Sequence, residues 1–401
     1  VIWLKIQPVC WWERPIRYGH VLILPDRLIC FAGLPSVKSP TGHDLSWLLI
    51  ASGFFRLSTF LGSRRVWFNR SPPSLKWQVV YLRVMGSRQT FDVLDRESPL
   101  QRLVHPVLAE AGVEAWIKRD DQLSLPAGDM PAFCGNKWRK LNYNLRAARE
   151  QGHQRLLTFG GAYSNHIAAV AAAGQLFGFS TVGVVRGEPH HPLNPTLACA
   201  TSLGMHLHHI SRSAFRQKHT PEVQEELEQR FAPYYSLPEG GTNELALRGC
   251  EELAREITAQ LGKTPDYVCV AAGTGGTAAG LIRGAEASTS VLVFPALKGD
   301  FMHGEIEQWL TGPTAPWEVV SDYHFGGYAK WKPELLAFMR AFREETGITL
   351  DPIYTGKLLY GILAEAQKKR FPTGCTVVVI HTGGLQGIAG FTQRFGRIYR
   401  D

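Results

Sequence analysis

From about residue 110 the chain alternates short apolar runs with amphipathic ones. Glu114–Lys118 reads as a strand. Trp138–Gln151 reads as a helix, because Leu141, Leu145 and Ala148 recur at helical spacing and Gly152 sits where a C-terminal cap belongs. Arg155–Phe159 is a strand broken by Gly160-Gly161. Ser164 then caps an Ala-rich helix that ends near Gly178. The alternation continues through strands at 181–185, 206–210, 234–237, 266–271, 291–294 and 376–381. Helices are predicted at 195–203, 221–230, 244–260, 333–345 and 357–370, and one more follows the turn 273–276 and runs to about Gly284. Repeated strand–helix alternation predicts an α/β fold with mostly parallel sheets covered by helices on both faces. About 300 residues of it imply two open twisted sheets.

Charge changes the picture at the N-terminal side. Residues 1–84 hold 11 of the 43 Lys+Arg and 3 of the 35 Asp+Glu, which leaves 32 of each for residues 85–401. The whole positive excess therefore lies in the first fifth. The remainder has no basic stripe with interleaved aromatics and is not expected to bind nucleic acid. Residues 1–84 also carry six of the eleven tryptophans, are interrupted by seven prolines, and show no sustained helical or alternating period. Their longest apolar run, Leu45–Phe55, is short of the roughly 18–20 residues that span a bilayer. No membrane association is expected. Val1 opens the chain and Met85 opens a well-patterned segment, so residues 1–84 are expected to be a start called too far upstream or a disordered extension. Seven cysteines without a C-x-x-C pair argue for a reducing compartment and a cytoplasmic protein.

Candidate chemistry lies at strand ends, where open α/β sheets bind ligands. Gly273-Thr274-Gly275-Gly276-Thr277 lies between a strand and a helix start, so converging N–H groups and the helix dipole favour an anion. It lacks the Gly-x-Gly-x-x-Gly spacing and a Walker lysine, which weakens dinucleotide and triphosphate readings. A tight structural turn is the alternative. Ser164-Asn165-His166 stands at another helix start, where it either caps the helix or holds a carboxylate or ring oxygen. His381-Thr382-Gly383-Gly384 ends a strand. Asp351–Lys357 turns into a helix, and Tyr328 sits in the Gly-rich loop His324–Tyr328. His206, His208 and His209 have no nearby carboxylate or cysteine partner, so no metal site is expected. A phosphate cradle together with a lysine in the setting Gly135-Asn136-Lys137 suggests pyridoxal 5′-phosphate, whose aldehyde forms a Schiff base with a lysine.

These segments carry a resemblance. Residues 92–391 resemble the 1-aminocyclopropane-1-carboxylate deaminase and D-cysteine desulfhydrase family of pyridoxal-phosphate enzymes, of the tryptophan-synthase-β fold type (fold type II). The motifs are Trp116–Asp121, Gly135–Leu141, Ser164–His166, Thr274–Thr277, Asp351–Lys357 and His381–Gly384, in that order. The resemblance implies that Lys137 binds the cofactor and moves the substrate's α-proton. It implies that Lys140 and Thr274, Gly275, Gly276 and Thr277 hold the phosphate, and that Asn165 meets the ring oxygen. Ser164, with Asn165 and His166, takes the substrate carboxylate, and Tyr328 and Tyr354 face the substrate as catalytic residues. It divides the chain into 1–84, a large cofactor domain of 85–139 plus 250–401, and a small α/β domain of 140–249. A homodimer acting on a small amino acid is implied.

One pair of positions discriminates. Ring-opening deaminases of the family carry an acidic residue where this chain has Thr355, and Leu where it has Thr382. A carboxylate beside the pyridine nitrogen keeps it protonated and the ring a strong electron sink, whereas a threonine hydroxyl does not. Thr355 and Thr382 therefore imply β-elimination, foremost from D-cysteine to pyruvate, ammonia and hydrogen sulfide. Alternatives are 1-aminocyclopropane-1-carboxylate deamination and, from another class, a non-catalytic phosphate-binding module. Trp331 and Lys332 depart from the family pattern and either reshape the substrate wall or start the next helix. The linker Glu239–Asn243 is also variant.

Overall fold

The computed structural model describes residues 90–123 and 132–399 in full and, within residues 1–89, the backbone of seven strands. The chain divides into two compact units, Val1–Ser87 and Arg88–Asp401. In the first, Ile2–Lys5, Gly19–Leu24 and Arg27–Ala32 form one antiparallel sheet. Leu48–Ala51, Phe54–Leu61, Arg64–Asn69 and Gln78–Leu82 form another. These strands are defined by their cross-strand pairing. The segments between them lie outside the described residues.

The second unit holds two sheets. The smaller runs Met205–Ile210, Ser180–Arg186, Arg155–Gly161, Tyr235–Leu237, all parallel. The larger runs Trp317–Val319, Ser290–Pro295, Tyr267–Ala272, Thr376–Ile380, Glu114–Lys118, Leu100–Arg102. Only its last pair is antiparallel.

Period-two alternation decides which side chain meets which helix layer. In the larger sheet Val268, Val270 and Ala272 join a core with Leu247, Ile257 and Leu281, while Cys269 and Ala271 join Leu335, Met339, Leu358 and Ile362 on the other face. In the smaller sheet Leu156 packs on the Ala168–Ala173 helix face, and Leu157 and Phe159 pack on Phe215, Leu227 and Phe231. Both faces are covered, which is why these strands read as continuous apolar runs.

The helices that matter for the site are Asn136–Glu150, Asn165–Phe177, Gly276–Gly284 and Thr355–Gln367. Each follows a loop at the carboxyl end of a strand or leads away from one. The first of them crosses the expected boundary between residues 139 and 140 without a break. Trp331 and Lys332 take the second of their two expected roles. Lys332 is the N-cap of the helix Pro333–Thr346, and Trp331 stacks edge-on against Phe391 and Phe395.

Candidate active site

The carboxyl ends of strands Arg155–Gly161, Ser180–Arg186, Tyr267–Ala272 and Thr376–Ile380 open on one cavity of about 440 Å³. That size suits a cofactor with a small substrate.

Lys137 enters it from the first turn of its helix. The turn is brought in by a backbone contact that only glycine permits. Gly135 has φ +70°, and a Cβ there would lie 2.2 Å from the Thr382 carbonyl oxygen. The Asn136 N–H donates to that same carbonyl at 3.0 Å. The Lys137 loop and the 381–384 strand end are thus fastened together, backbone to backbone.

The Lys137 amine donates to the Gly240 carbonyl at 3.1 Å and has no carboxylate within ion-pairing distance among the described residues. Burial pulls its pKa down to about 8 from the usual 10.5. Lys140, one turn on, donates to the same carbonyl at 2.7 Å and to Thr242 Oγ1 at 2.9 Å. Burial, and then the neighbouring Lys137 charge, hold it well below the usual lysine range.

Around Lys140 the polar groups close a ring. The Thr242 and Thr274 hydroxyls are 2.9 Å apart, and Asn136 Nδ2 donates to Thr277 Oγ1 at 3.0 Å. Gly275, at φ +74°, precedes the helix Gly276–Gly284, and no side chain caps that helix. A Cβ on Gly276 would lie 3.1 Å from Lys140 Nζ and 2.6 Å from Thr242 Oγ1. Uncapped N–H groups, a buried amine and a space cleared of side chains fit a phosphate group.

Ser164, Asn165 and His166 line the facing wall. Ser164 Oγ accepts from the N–H groups of His166 at 3.2 Å and Ile167 at 3.3 Å, so it is the helix cap, and its own hydrogen remains available to a ligand. His166 is buried with neither ring nitrogen hydrogen-bonded. Burial, then the charges of Lys137 and Lys140, keep its pKa well below the usual range, so the ring is neutral. An imidazole with two open nitrogens in a cavity wall fits a site built for a polar ligand.

Tyr328 and Tyr354 also line the cavity, with ring centroids 6.3 Å apart. Burial, then the neighbouring Tyr328, holds the Tyr354 hydroxyl protonated, its pKa well above the usual 10. Thr382 lines the cavity as expected. Thr355 does not. It is fully buried, its hydroxyl donates to Asp351 Oδ1 at 2.8 Å, and it accepts from the Asp351 N–H at 2.8 Å. The side chain expected to meet the cofactor ring is spent on the start of its own helix. Asp351 is likewise spent: it also accepts from the N–H groups of Ile353, Tyr354 and Thr355.

Sequence reasoning passed over Arg186; Asn136 belongs to the lysine motif, and Gly240 to the linker expected to be able to line the substrate wall. The Gly240 carbonyl, which takes both site lysines, belongs to the linker singled out as variant. Arg186 ends a parallel strand, the position that the strand-end rule marks.

A lysine with a lowered pKa, set against a phosphate cradle at the carboxyl edge of a parallel sheet, defines the class: an enzyme that binds a phosphorylated aldehyde through an amine. The chain belongs to the pyridoxal-phosphate dependent enzyme family, whose model matches residues 94–383. Its cofactor is pyridoxal 5′-phosphate, and the fold is that of the fold type II enzymes. The bifunctional D-cysteine desulfhydrase/1-aminocyclopropane-1-carboxylate deaminase of Arabidopsis thaliana is 32% identical over 343 residues, 79% of this chain and 82% of that protein. The D-cysteine desulfhydrase of Yersinia enterocolitica is 29% identical over 75% of this chain and 95% of its own length. A solved 1-aminocyclopropane-1-carboxylate deaminase homologue superposes with a TM-score of 0.64 at 28% identity, over 75% of this chain and 94% of that one. Among the described residues no helix is long and apolar enough to cross a membrane.

Proposed function

We propose that the protein is a lyase that eliminates the β-substituent of a small amino acid, with D-cysteine the foremost substrate and pyruvate, ammonia and hydrogen sulfide the products. The observation that carries this reading is the charge of the cavity wall. Among the described lining residues Glu239 is the one carboxylate, and it pairs with Lys218 at 3.2 Å. Near the strand end that carries Thr382, two enclosed carboxylates are already engaged: Asp351 by four hydrogen bonds, and Asp121 by the Arg119 guanidinium at 2.9 and 2.8 Å. With Thr355 withdrawn, Thr382 alone offers a hydroxyl to the ring nitrogen. A neutral partner there leaves a weak electron sink, enough to expel a thiolate and poor for opening a carbon–carbon bond.

When bound, pyridoxal phosphate supplies an aldehyde for the substrate amine and a ring that stabilises charge at the α-carbon. The chain's residues do the rest. Lys140 and the turn 274–277 hold the phosphate. Lys137, a weakened base in a dry site, takes the α-proton at Nζ. Ser164, with the helix start at Asn165 and His166, holds the carboxylate, and Asn165 faces the ring oxygen. Tyr354, kept protonated, and Tyr328 beside it protonate or orient the departing group. In the same reading, residues 85–139 plus 250–401 form the cofactor domain and 140–249 the small domain of a cytoplasmic homodimer.

The test is a panel of D-cysteine, L-cysteine, D-serine and 1-aminocyclopropane-1-carboxylate given separately to the holoenzyme. Sulfide and pyruvate from D-cysteine are expected. 2-Oxobutyrate from the cyclopropane substrate at a comparable rate would overturn the argument from Thr382.

A further inference from the structure

Among the described lining residues, Arg186 is the one cation that the proposed chemistry leaves without a task. Lys137 and Lys140 are taken by the cofactor's aldehyde and phosphate. Arg186 is exposed, ends its strand at the cavity mouth and belongs to the lining. A Cβ on Gly161, in the loop that leads to Ser164, would lie 3.6 Å from its guanidinium. The mouth's carboxylate does not neutralise it, because Glu239 pairs with Lys218. No ion pair and no hydrogen bond ties the Arg186 side chain among the described residues. What orders it is an aromatic platform. The buried Phe215 ring carries the Arg186 guanidinium at 5.8 Å and the Lys218 amine at 5.0 Å. Arg212 adds a second guanidinium beside Gly187, its Nε 3.8 Å from where a Cβ would stand. The Arg186 and Glu239 charges both act on the Tyr328 hydroxyl, so Arg186 is within electrostatic reach of the substrate wall.

We infer that, besides D-cysteine, the site takes β-substituted alanines whose leaving group carries its own negative charge, and that Arg186 is the cation that receives that charge. A guanidinium beside a ring face, with its N–H fork open, suits a carboxylate, sulfonate or phosphate ester on the β-substituent. This inference rests on the lyase reading and names its substrate class. The chemistry balances without a redox partner. The α-proton passes to Lys137, and the Cβ–X bond breaks with its electron pair leaving on X as the α,β double bond forms. The released enamine takes up water and loses ammonia to give pyruvate.

The experiment compares two S-substituted cysteines of matched shape, S-carboxymethyl and S-carbamoylmethyl, each as both enantiomers, on the wild-type holoenzyme and on Arg186→Met. Pyruvate release gives kcat/KM, and the shift of the bound cofactor's absorption on titration gives a dissociation constant that needs no turnover. Wild type is expected to favour the carboxymethyl compound. Arg186→Met is expected to lose ~10–100-fold in kcat/KM for that compound, the scale of hydrogen bonds to a charged group, and far less for the carbamoyl one. Arg186→Lys is expected to recover part of the preference. Equal losses with both compounds would overturn the inference and assign Arg186 to the α-carboxylate. A wild type that binds and turns over both alike would also overturn it, while the lyase reading stands. A protein that takes up no cofactor overturns the lyase reading itself, and this inference with it.

Discussion

Lys137 and Arg139 stand two residues apart on one helix, Lys137 half-buried in the cavity wall and Arg139 buried, and they face opposite environments. Arg139 turns into a closed ionic cluster. It is bidentate to Asp120 at 2.8 Å through Nε and Nη2, and it reaches Glu256 at 2.7 Å. Ser98 and the buried Lys118, itself paired with Glu256, complete the set. Burial works against the Arg139 charge, but Asp120 and Glu256 more than offset it, so its pKa is raised. Lys137 and Lys140 donate to neutral acceptors, the Gly240 carbonyl and, for Lys140, the Thr242 hydroxyl, and burial outweighs the opposing pull of Cys250. One helix thus holds a charge that is fixed and an amine that is ready to lose its proton. Burial lowers both, and the carboxylate partners of Arg139 make the difference.

Lys357 falls between the two. Its amine donates to three backbone carbonyls, of Ala296, His324 and Gly327, at 3.2, 2.8 and 2.8 Å. Burial lowers its pKa to about 8, with Asp351 pulling the other way. It ties the loop that carries Tyr328 to the helix whose start carries Tyr354, so one residue sets the spacing of both tyrosines.

The contrast can be broken in graded ways. Lys137→Ala removes the amine and is expected to abolish the covalent cofactor band and lower kcat by ~10²–10⁴-fold or more, read by spectroscopy and pyruvate release. Arg139→Met should leave that amine in place but strip Asp120 of its cation and leave Glu256 to Lys118 alone. The expected loss of stability is ~3–5 kcal/mol in denaturant titration. A variant that lost the band without losing stability would reverse the roles assigned to the two residues.

The pH dependence sharpens the comparison. The neutral amine is the nucleophile, so uptake of pyridoxal phosphate by apoprotein should rise about tenfold per pH unit and level off above about pH 8, where Lys137 has lost its proton. The sign for stability follows. A lysine whose folded pKa is depressed costs the apoprotein stability below about pH 8, and that cost is relieved as pH climbs toward the unfolded value of 10.5. Stopped-flow uptake and urea titrations across pH 6–10 check both. The smallest effects separate the two threonines. Thr382→Val should change the bound cofactor's spectrum. Thr355→Val should leave the spectrum alone and cost ~1 kcal/mol, as loss of a helix-start hydrogen bond does.

Those threonines also mark where the sequence was legible. Strand–helix alternation reveals the parallel sheets because each strand is apolar on both faces, as Val377–Ile380 shows. Motif spacing places Lys137, Lys140, Ser164 and the 274–277 turn, since each sits next to a strand end. At Thr355 the motif does not report a local competitor: Asp351, four residues back, accepts from its hydroxyl. Arg186 and the Gly240 carbonyl were hidden for another reason. The first is an ordinary strand-end arginine until the sheet brings it to the cavity, and the second acts through its backbone, which no side-chain pattern reports.

The central claim is that Lys137, among several buried lysines, is the one that binds the cofactor. Borohydride reduction of the holoenzyme followed by peptide mass mapping tests it directly. The account predicts a pyridoxyl-phosphate mass increment on the peptide containing Lys137, stoichiometric with protein and absent from Lys137→Ala. The increment on Lys140 or Lys357 instead, with Lys137 unmodified, would contradict it.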